Sequence, residues 1–250
     1  MTEYYLAASS AKFSGPRNWL ISGLLVIGLG SVALAQQTVF NVPTTDILDK
    51  GKVYVEVDVS AKVHDERALK KFSSVVPRVV VGVRQRRVEV GLNVTGNIQP
   101  GRDSTTLVPN VKVKLYGNEG NGWAMVTGAN VYLPVRQRVY NAGVYNYVQV
   151  SKMLGSKTRI GFGGYFFSRN VVSPNANRAG GQFTLEQSLT HWLSFNADWF
   201  TGRHSMGYLT FGPAFKLGKR TVGTAAYAIG NEHVRDGNHF LYFSLGYLVN

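Results

Sequence analysis

Hydrophobic and polar residues alternate with a period of two along most of the chain after Gly51. In the stretch VEVGLNVTGN (88–97), valine or leucine occupies every second position of the first seven, and glutamate, glycine, asparagine and threonine fill the others. Such alternation is typical of a β-strand with one apolar and one polar face. No second apolar run of transmembrane-helix length and no sustained helical period follow Gly51. The pattern therefore predicts an all-β chain.

Twelve segments of this kind are predicted. The clearest lie at 52–61, 78–83, 88–97, 107–116, 159–166 and 240–249, and less regular ones at 123–132, 140–150, 181–189, 193–200, 208–215 and 221–229. The connections between them alternate between short turns and longer loops, and single-chain outer-membrane barrels combine an even strand number with this asymmetry. We interpret residues 51–250 as one antiparallel up-and-down transmembrane β-barrel of about 12 strands.

Two hairpins test the register of the predicted strands. If residues 84–87 form a turn, Val83 lies opposite Val88 and both apolar faces fall on one surface. The hairpin at GNEGNG (117–122) allows two registers. One places Trp123 and Met125 in the apolar set, and the other places Ala124 and Val126 there.

The barrel's size decides which face is turned outward. A barrel of about twelve strands encloses more space than the side chains of an eight-stranded barrel fill, so the polar face is expected to surround a wet lumen. The predicted lipid-facing residues are Val53, Val55, Val57, Val79, Val81, Val83, Val88, Val90, Leu92, Val94, Leu241, Phe243, Leu245 and Tyr247. The predicted pore-lining residues are Glu56, Asp58, Arg78, Glu89, Lys112, Lys114, Arg159, Glu186 and Asp198.

The N-terminal region indicates export. Arg17, the apolar run 20–32 and Ala33-Leu34-Ala35 match the charged, apolar and small-residue parts of a cleaved signal peptide, so residues 1–35 are predicted to be an extension plus signal. A transmembrane anchor is the alternative, but the apolar run is short for one. Residues 36–50 form an N-terminal segment, periplasmic or luminal, in which 44–51 have the signals of one or two helical turns.

Composition and charge narrow the partners. Without residues 1–35 the chain keeps 25 basic side chains (27 minus 2) and 13 acidic ones (14 minus 1), a net charge of +12. Nucleic acid is not expected as a partner, because the chain is exported and has no nucleic-acid-binding motif. Lipopolysaccharide phosphates or anionic solutes fit that compartment better. The absence of Cys excludes disulfides and thiolate chemistry.

The signal, the alternating strands and the closing stretch HFLYFSLGYLVN (239–250) together resemble a Gram-negative outer-membrane β-barrel of the porin-like kind. The resemblance is one of pattern over residues 51–250. It implies location in the outer membrane, contact with lipid and lipopolysaccharide, and insertion by the barrel-assembly machinery, which uses the last strand as its signal. The chain departs from that pattern at its end, where Asn250 replaces the expected aromatic residue.

The predicted function is passive diffusion of small polar or charged solutes, with the luminal charges setting ion preference. Two alternatives stay open: a hydrolase of the barrel type, and a closed structural or adhesive barrel whose charges only pair with one another. None of the five His has the spacing of an outer-membrane lipid esterase, and an Asp198–His204 pair is the conceivable protease site. The loop NEHVRDGNH (231–239) matches no firm metal pattern. No enzyme activity, metal or cofactor is predicted, and the solute and the oligomeric state are left open.

Overall fold

The protein folds as a closed barrel of antiparallel strands. The structure is a computed structural model that describes residues 37–62, 72–95, 105–118, 121–136, 141–232 and 238–249. In this part of the chain the strands are β1 (Val53–Lys62), β2 (Phe72–Arg84), β3 (Val88–Thr95), β4 (Thr105–Asn118), β5 (Trp123–Arg136), β6 (Gly143–Leu154), β7 (Thr158–Phe167), β8 (Ala179–Ser188), β9 (Leu193–Phe200), β10 (Tyr208–Lys216), β11 (Thr221–Gly230) and β12 (His239–Val249). Each strand pairs with its neighbours in sequence, and β1 pairs with β12. The predicted all-β up-and-down barrel is confirmed.

The two ends of the barrel differ in the length of their connections. Connections of three or four residues lie at one end, at 85–87, 119–122, 155–157, 189–192 and 217–220. Connections of six to eleven residues lie at the other, at 63–71, 96–104, 137–142, 168–178, 201–207 and 231–238. We call these the short-turn end and the long-loop end. The predicted signal peptide lies outside the described residues.

Three strands, β2, β4 and β5, exceed their predicted lengths by at least four residues, and each contains a proline. Pro77 in β2 pairs with Val57, Pro109 in β4 with Leu92, and Pro134 in β5 with Thr106. Pro77 and Pro134 lie outside the predicted segments and Pro109 lies inside one, and the fixed φ of proline is compatible with an extended backbone. It removes one ladder donor, and the residues on either side keep the strand paired.

The register differs from the prediction at one position of the first hairpin. Val81 pairs with Val90 as expected, but Arg84, not Val83, pairs with Val88. The turn has three residues, with Arg86 at φ 45°, and the ladder shifts between Gly82 and Arg84. The hairpin at 117–122 also contains a shift, between Lys114 and Tyr116. Because Val126 is buried inside, Met125 and Trp123 take the outward positions.

The outer surface of the barrel is apolar. Residues such as Val57, Leu92 and Phe243 are about two-fifths exposed, and all fourteen predicted lipid-facing residues lie on this surface, alternating with inward-facing neighbours. Exposed aromatic side chains flank the aliphatic belt, with Tyr116, Trp192 and Tyr247 toward the short-turn end and Phe166, Phe183 and Trp199 toward the long-loop end, and the half-buried Trp123 also lies near the short-turn end. In the part of the chain that the structure describes, no helix is both long enough and apolar enough to cross a membrane.

An arginine in this belt is expected to destabilise the barrel according to its depth. Phe243 lies in the middle of β12, and Val249 is the strand's last residue. In a bilayer, Phe243→Arg is expected to lower the free energy of unfolding by about 2–4 kcal/mol and Val249→Arg by about 0–1 kcal/mol. Urea unfolding of the refolded protein in vesicles measures both. Equal costs at the two positions would contradict a membrane-embedded belt.

We call residues 37–50 the luminal segment, because residues 37–48 lie inside the barrel and residues 49–50 lead from them to β1 at the short-turn end. Val39, Phe40 and Val42 are at most 1% exposed. The predicted helical turns at 44–51 are wrong, because this stretch of the backbone contains one bend, at Thr45, and a turn at 50–51, but no helix. Its N–H groups bond to the barrel wall and within a hairpin, which replaces the hydrogen bonds that a helix would supply.

Candidate functional site: the luminal segment and the wall around it

The luminal segment folds back on itself within the barrel. Thr38 and Pro43 form an isolated antiparallel bridge. The N–H of Val39 donates to the carbonyl of Val42 at 2.9 Å, and the N–H of Thr44 donates to the carbonyl of Gln37 at 3.1 Å. Residues 39–42 therefore form the tip of a tight hairpin. The remaining residues connect this hairpin to β1 at the short-turn end.

Asp198 of β9 binds the tip of the hairpin. The backbone N–H groups of Phe40, Asn41 and Val42 all donate to its Oδ2, at 3.0, 2.6 and 2.8 Å. Asp198 is 1% exposed. One carboxylate thus satisfies three consecutive backbone donors in the interior, where hydrogen bonds to an ionised acceptor are stronger than neutral ones. The Asn41 side chain adds a bond to Thr210 of β10.

Lys112 of β4 binds the base of the same hairpin. Its Nζ lies 2.8 Å from Glu89 Oε1, and it donates to the carbonyls of Gln37 and Thr44 at 3.2 and 3.4 Å. Glu89 accepts the N–H of Leu48 through Oε2 at 3.0 Å. Both charged side chains are about 1–2% exposed. This buried ion pair therefore depends on the luminal segment for part of its hydrogen bonding.

Arg159 and Arg78 complete the polar contacts. Arg159 of β7 binds Asp46 of the luminal segment at 2.8 Å and Glu186 of β8 at 2.6 Å. Arg78 of β2 donates to Thr38 Oγ1 at 2.9 Å and pairs with two carboxylates of β1, Asp58 and Glu56. Thr45 and Ser151 of β6 are joined hydroxyl to hydroxyl at 2.6 Å.

The nine predicted pore-lining residues all face the interior, but most of them bind protein groups. Five contact the luminal segment directly: Arg78, Glu89, Lys112, Arg159 and Asp198. Glu56, Asp58 and Glu186 pair with Arg78 or Arg159, and Lys114 is the inward residue that follows Lys112 on β4. That these side chains line a conducting path stays a prediction.

Aromatic side chains fill another part of the interior, which the expectation of a wet lumen missed. Tyr145, Tyr147, Tyr165, Phe167 and Phe200 are at most 6% exposed and belong to one apolar cluster with Val42 and Ile47 of the luminal segment. The rings of Tyr145 and Phe167 stack at 5.0 Å. The sequence contained a signal for these inward aromatic residues. Phe167 is two positions after Tyr165 and Phe200 is two positions after Asp198, so each lies on the inward face of its strand.

Tyr54 shows how a large ring fits against the wall. It is 2% exposed, donates to Glu56 Oε2 at 2.7 Å, and lies over Gly246 of β12, where a Cβ would collide with its hydroxyl. Glycine at this position therefore makes room for the ring.

A cavity of about 390 Å³ lies on the long-loop side of the hairpin. Residues of the luminal segment, including Asn41 and Thr38, line it together with Arg78, Asn130 and Tyr132 of the wall. Val171 and Met206, from two long connections, line it as well.

The described histidines do not form the proposed hydrolytic pairs. His204 Nδ1 accepts the N–H of Met206 at 3.2 Å, and its Nε2 lies 2.8 Å from the carbonyl of Thr201 and from the Tyr165 hydroxyl. Burial holds the pKa of His204 below its ordinary value, against the opposing effect of the Thr201 carbonyl. Asp198 and His204 do not form the hydrogen-bonded pair that a protease site would need. Both ring nitrogens of His204 have other partners, and Asp198 binds the hairpin. His239 contacts Tyr227.

The described residues contain no group of three His, Asp or Glu side chains placed to hold a metal ion. His64, His233 and Asp236 lie outside them.

Known structures share the architecture of this barrel. A NanC porin superposes with a TM-score of 0.53 at 8% identity, over 77% of this chain and 97% of that one. The chain has a porin-like outer-membrane β-barrel fold. An outer-membrane channel from Pseudomonas putida F1 gives 0.48 at 13% identity, over 82% and 98%. Outer membrane phospholipase A from Escherichia coli gives 0.45 at 12%, over 80% and 90%. No family model and no curated protein matches the chain.

Proposed function

We propose that the protein is an outer-membrane channel for small polar solutes whose lumen is closed by its own luminal segment. The apolar outer belt with its two aromatic bands supports location in a membrane. In this proposal, lipid and lipopolysaccharide surround the barrel, and solutes pass when the segment leaves its seat.

The observation that carries the proposal is the charged wall behind the segment. Arg78, Glu89, Lys112, Arg159 and Asp198 face the interior from five different strands. Burying charges costs desolvation free energy, and apolar side chains would stabilise the interior of a purely structural barrel at least as well. A wall of mixed charge is what a water-filled path requires once the segment has moved.

The contacts of the segment support the proposal that it closes the path. Hydrogen bonds, ion pairs or ring contacts join residues 37–50 to β2, β3, β4, β6, β7, β9, β10 and β12. These strands lie all around the barrel, so the segment spans its cross-section. Most of the bonds are polar, and water can replace them when the segment moves out.

A disulfide between the segment and the wall tests the proposal. Thr45 Oγ1 and Ser151 Oγ are 2.6 Å apart, and the chain has no native Cys, so Thr45→Cys/Ser151→Cys introduces a single defined bridge. We expect the oxidised protein to give no unitary current in a planar bilayer and the reduced protein to open. The single variants are the controls, since neither should respond to reductant.

Three outcomes are decisive. If the double variant opens only in its reduced form, the result supports the proposal. Equal conductance in the oxidised and reduced forms would show that the segment does not close the path. If the reduced protein gives no current over a wide voltage range, the result would favour the closed structural barrel. The aromatic cluster that fills part of the interior also favours that alternative.

A further inference from the structure

The cavity above the hairpin differs from the rest of the interior in its chemistry. Its wall combines the aromatic side chains Tyr132, Tyr145, Tyr147 and Phe200 with the amides of Asn93 and Asn130. No Asp or Glu is among its lining residues. The mixed-charge clusters described above lie below it or beside it.

The one charged residue of this lining is already neutralised. The guanidinium of Arg78 pairs with Asp58 and with Glu56, and it also binds Thr38. The charge of Arg78 is therefore already balanced by carboxylates of the wall, and the lining residues offer no unpaired cation to an anionic ligand entering the cavity. The lining is thus unsuited to an acidic solute in spite of the chain's overall positive charge.

We infer that this cavity binds an uncharged, polyhydroxylated solute of one or two sugar rings. Aromatic side chains present flat apolar faces that match the C–H faces of a pyranose ring, while asparagine amides offer both a donor and an acceptor to its hydroxyls. A volume of about 390 Å³ lies at the lower end of the usual range for ligand sites, about 300–1,000 Å³, which excludes a long oligosaccharide.

The hairpin forms the floor of this site. Thr38 and Asn41 of the luminal segment line the cavity together with the wall residues. The site therefore exists while the segment is seated, and a bound sugar would occupy the position that a permeating solute reaches first from the long-loop end. The inference rests on the proposed function for its role as a solute site, but the binding itself requires no open channel.

Binding to the disulfide-tethered full chain tests the inference apart from conduction. The protein is refolded in a detergent without a sugar headgroup, and glucose, maltose and glucuronate are titrated by saturation-transfer NMR and calorimetry. We expect the two neutral sugars to bind and glucuronate to bind about tenfold more weakly than glucose or not at all, because it carries the wrong charge for this wall.

Two variants in the cavity locate the binding. Tyr132→Ala removes a ring face and is expected to weaken glucose binding about tenfold, whereas Tyr132→Phe, which keeps the ring, should lose less than about threefold. Asn130→Leu removes an amide of similar size and is expected to weaken binding comparably. Tyr116→Ala is the control, because Tyr116 lies on the outer surface at the other end of the barrel.

The two proposals fail in different ways. No sugar binding by a folded protein, tighter binding of glucuronate than of glucose, or equal loss in Tyr116→Ala would overturn the sugar site. Sugar binding by a protein that never conducts after reduction would leave the site standing and overturn the channel.

Discussion

Replacing Asp198 by alanine is expected to convert a barrel that opens rarely into one that conducts frequently. The change removes the acceptor of three backbone N–H groups at the hairpin tip. Hydrogen bonds to a charged group contribute about 1.5–3 kcal/mol each, so the seated state should lose several kcal/mol. A loss of about 4 kcal/mol shifts a two-state equilibrium by roughly a thousandfold. Single-channel recording should therefore show frequent openings in D198A and rare ones in the parent.

Asn196→Ala is the matched control for this experiment. Asn196 lies on the same strand and the same face as Asp198, and it is also buried. Its loss should leave the segment in place, because the three N–H groups keep their acceptor. Heat-dependent mobility in gel electrophoresis verifies that each variant is folded. Equal conductance of folded D198A, N196A and parent protein would refute the assignment of Asp198 as the anchor of the hairpin.

Replacing Lys112 by methionine is expected to cause the largest loss of stability. The change leaves Glu89 buried without its cation and removes one hydrogen-bond donor from the carbonyl of Gln37 and one from the carbonyl of Thr44. Removing one partner of a buried ion pair costs about 3–5 kcal/mol. Urea unfolding of the refolded protein should show the midpoint of K112M falling with little change in the slope.

Two further variants identify the origin of that loss. Glu89→Gln in the K112M background should recover part of the stability, because the remaining side chain is neutral and its carbonyl oxygen can still accept the N–H of Leu48. Lys114→Met is the control, since Lys114 follows on the same face of β4 and is only partly buried. If K112M and K114M cost the same, the effect comes from general luminal charge and not from the pair.

The sequence predicted the strands and their faces well, because a period of two translates directly into alternating faces. The parity that separates Val90 from Glu89 holds in the described strands, and five of the nine charged candidates are buried in the interior: Glu56, Asp58, Glu89, Lys112 and Asp198. The alternation of faces also continues to Pro77, which pairs with Val57, although the predicted segment began only at Arg78. The left-handed backbone at Arg86 has no signature in RQRR, which is why the register near Val83 was wrong.

What fills the lumen was not predictable from local pattern. Asp198 and Val42 are 156 positions apart, and nothing in either stretch indicates that a carboxylate will accept three backbone donors from the other. The short polar segment 44–51 had helix signals, but tertiary hydrogen bonds to the wall replaced them. Lys112 was assigned to a wet wall on parity alone, whereas its actual partners include carbonyls that only the three-dimensional fold brings near.

The pairing of β1 with β12 also constrains the order in which the molecule is built. Val53 pairs with Val249, 196 positions later (249 minus 53), so this seam is the most non-local contact of the sheet and is expected to form late. The luminal segment is joined directly to β1, so its enclosure and the zipping of the seam belong to the same kinetic step. Before that step a protease would reach residues 37–50 freely, and afterwards the finished wall would shield them. The time course of their protection from protease during refolding thus reports when β1 pairs with β12 and the barrel closes.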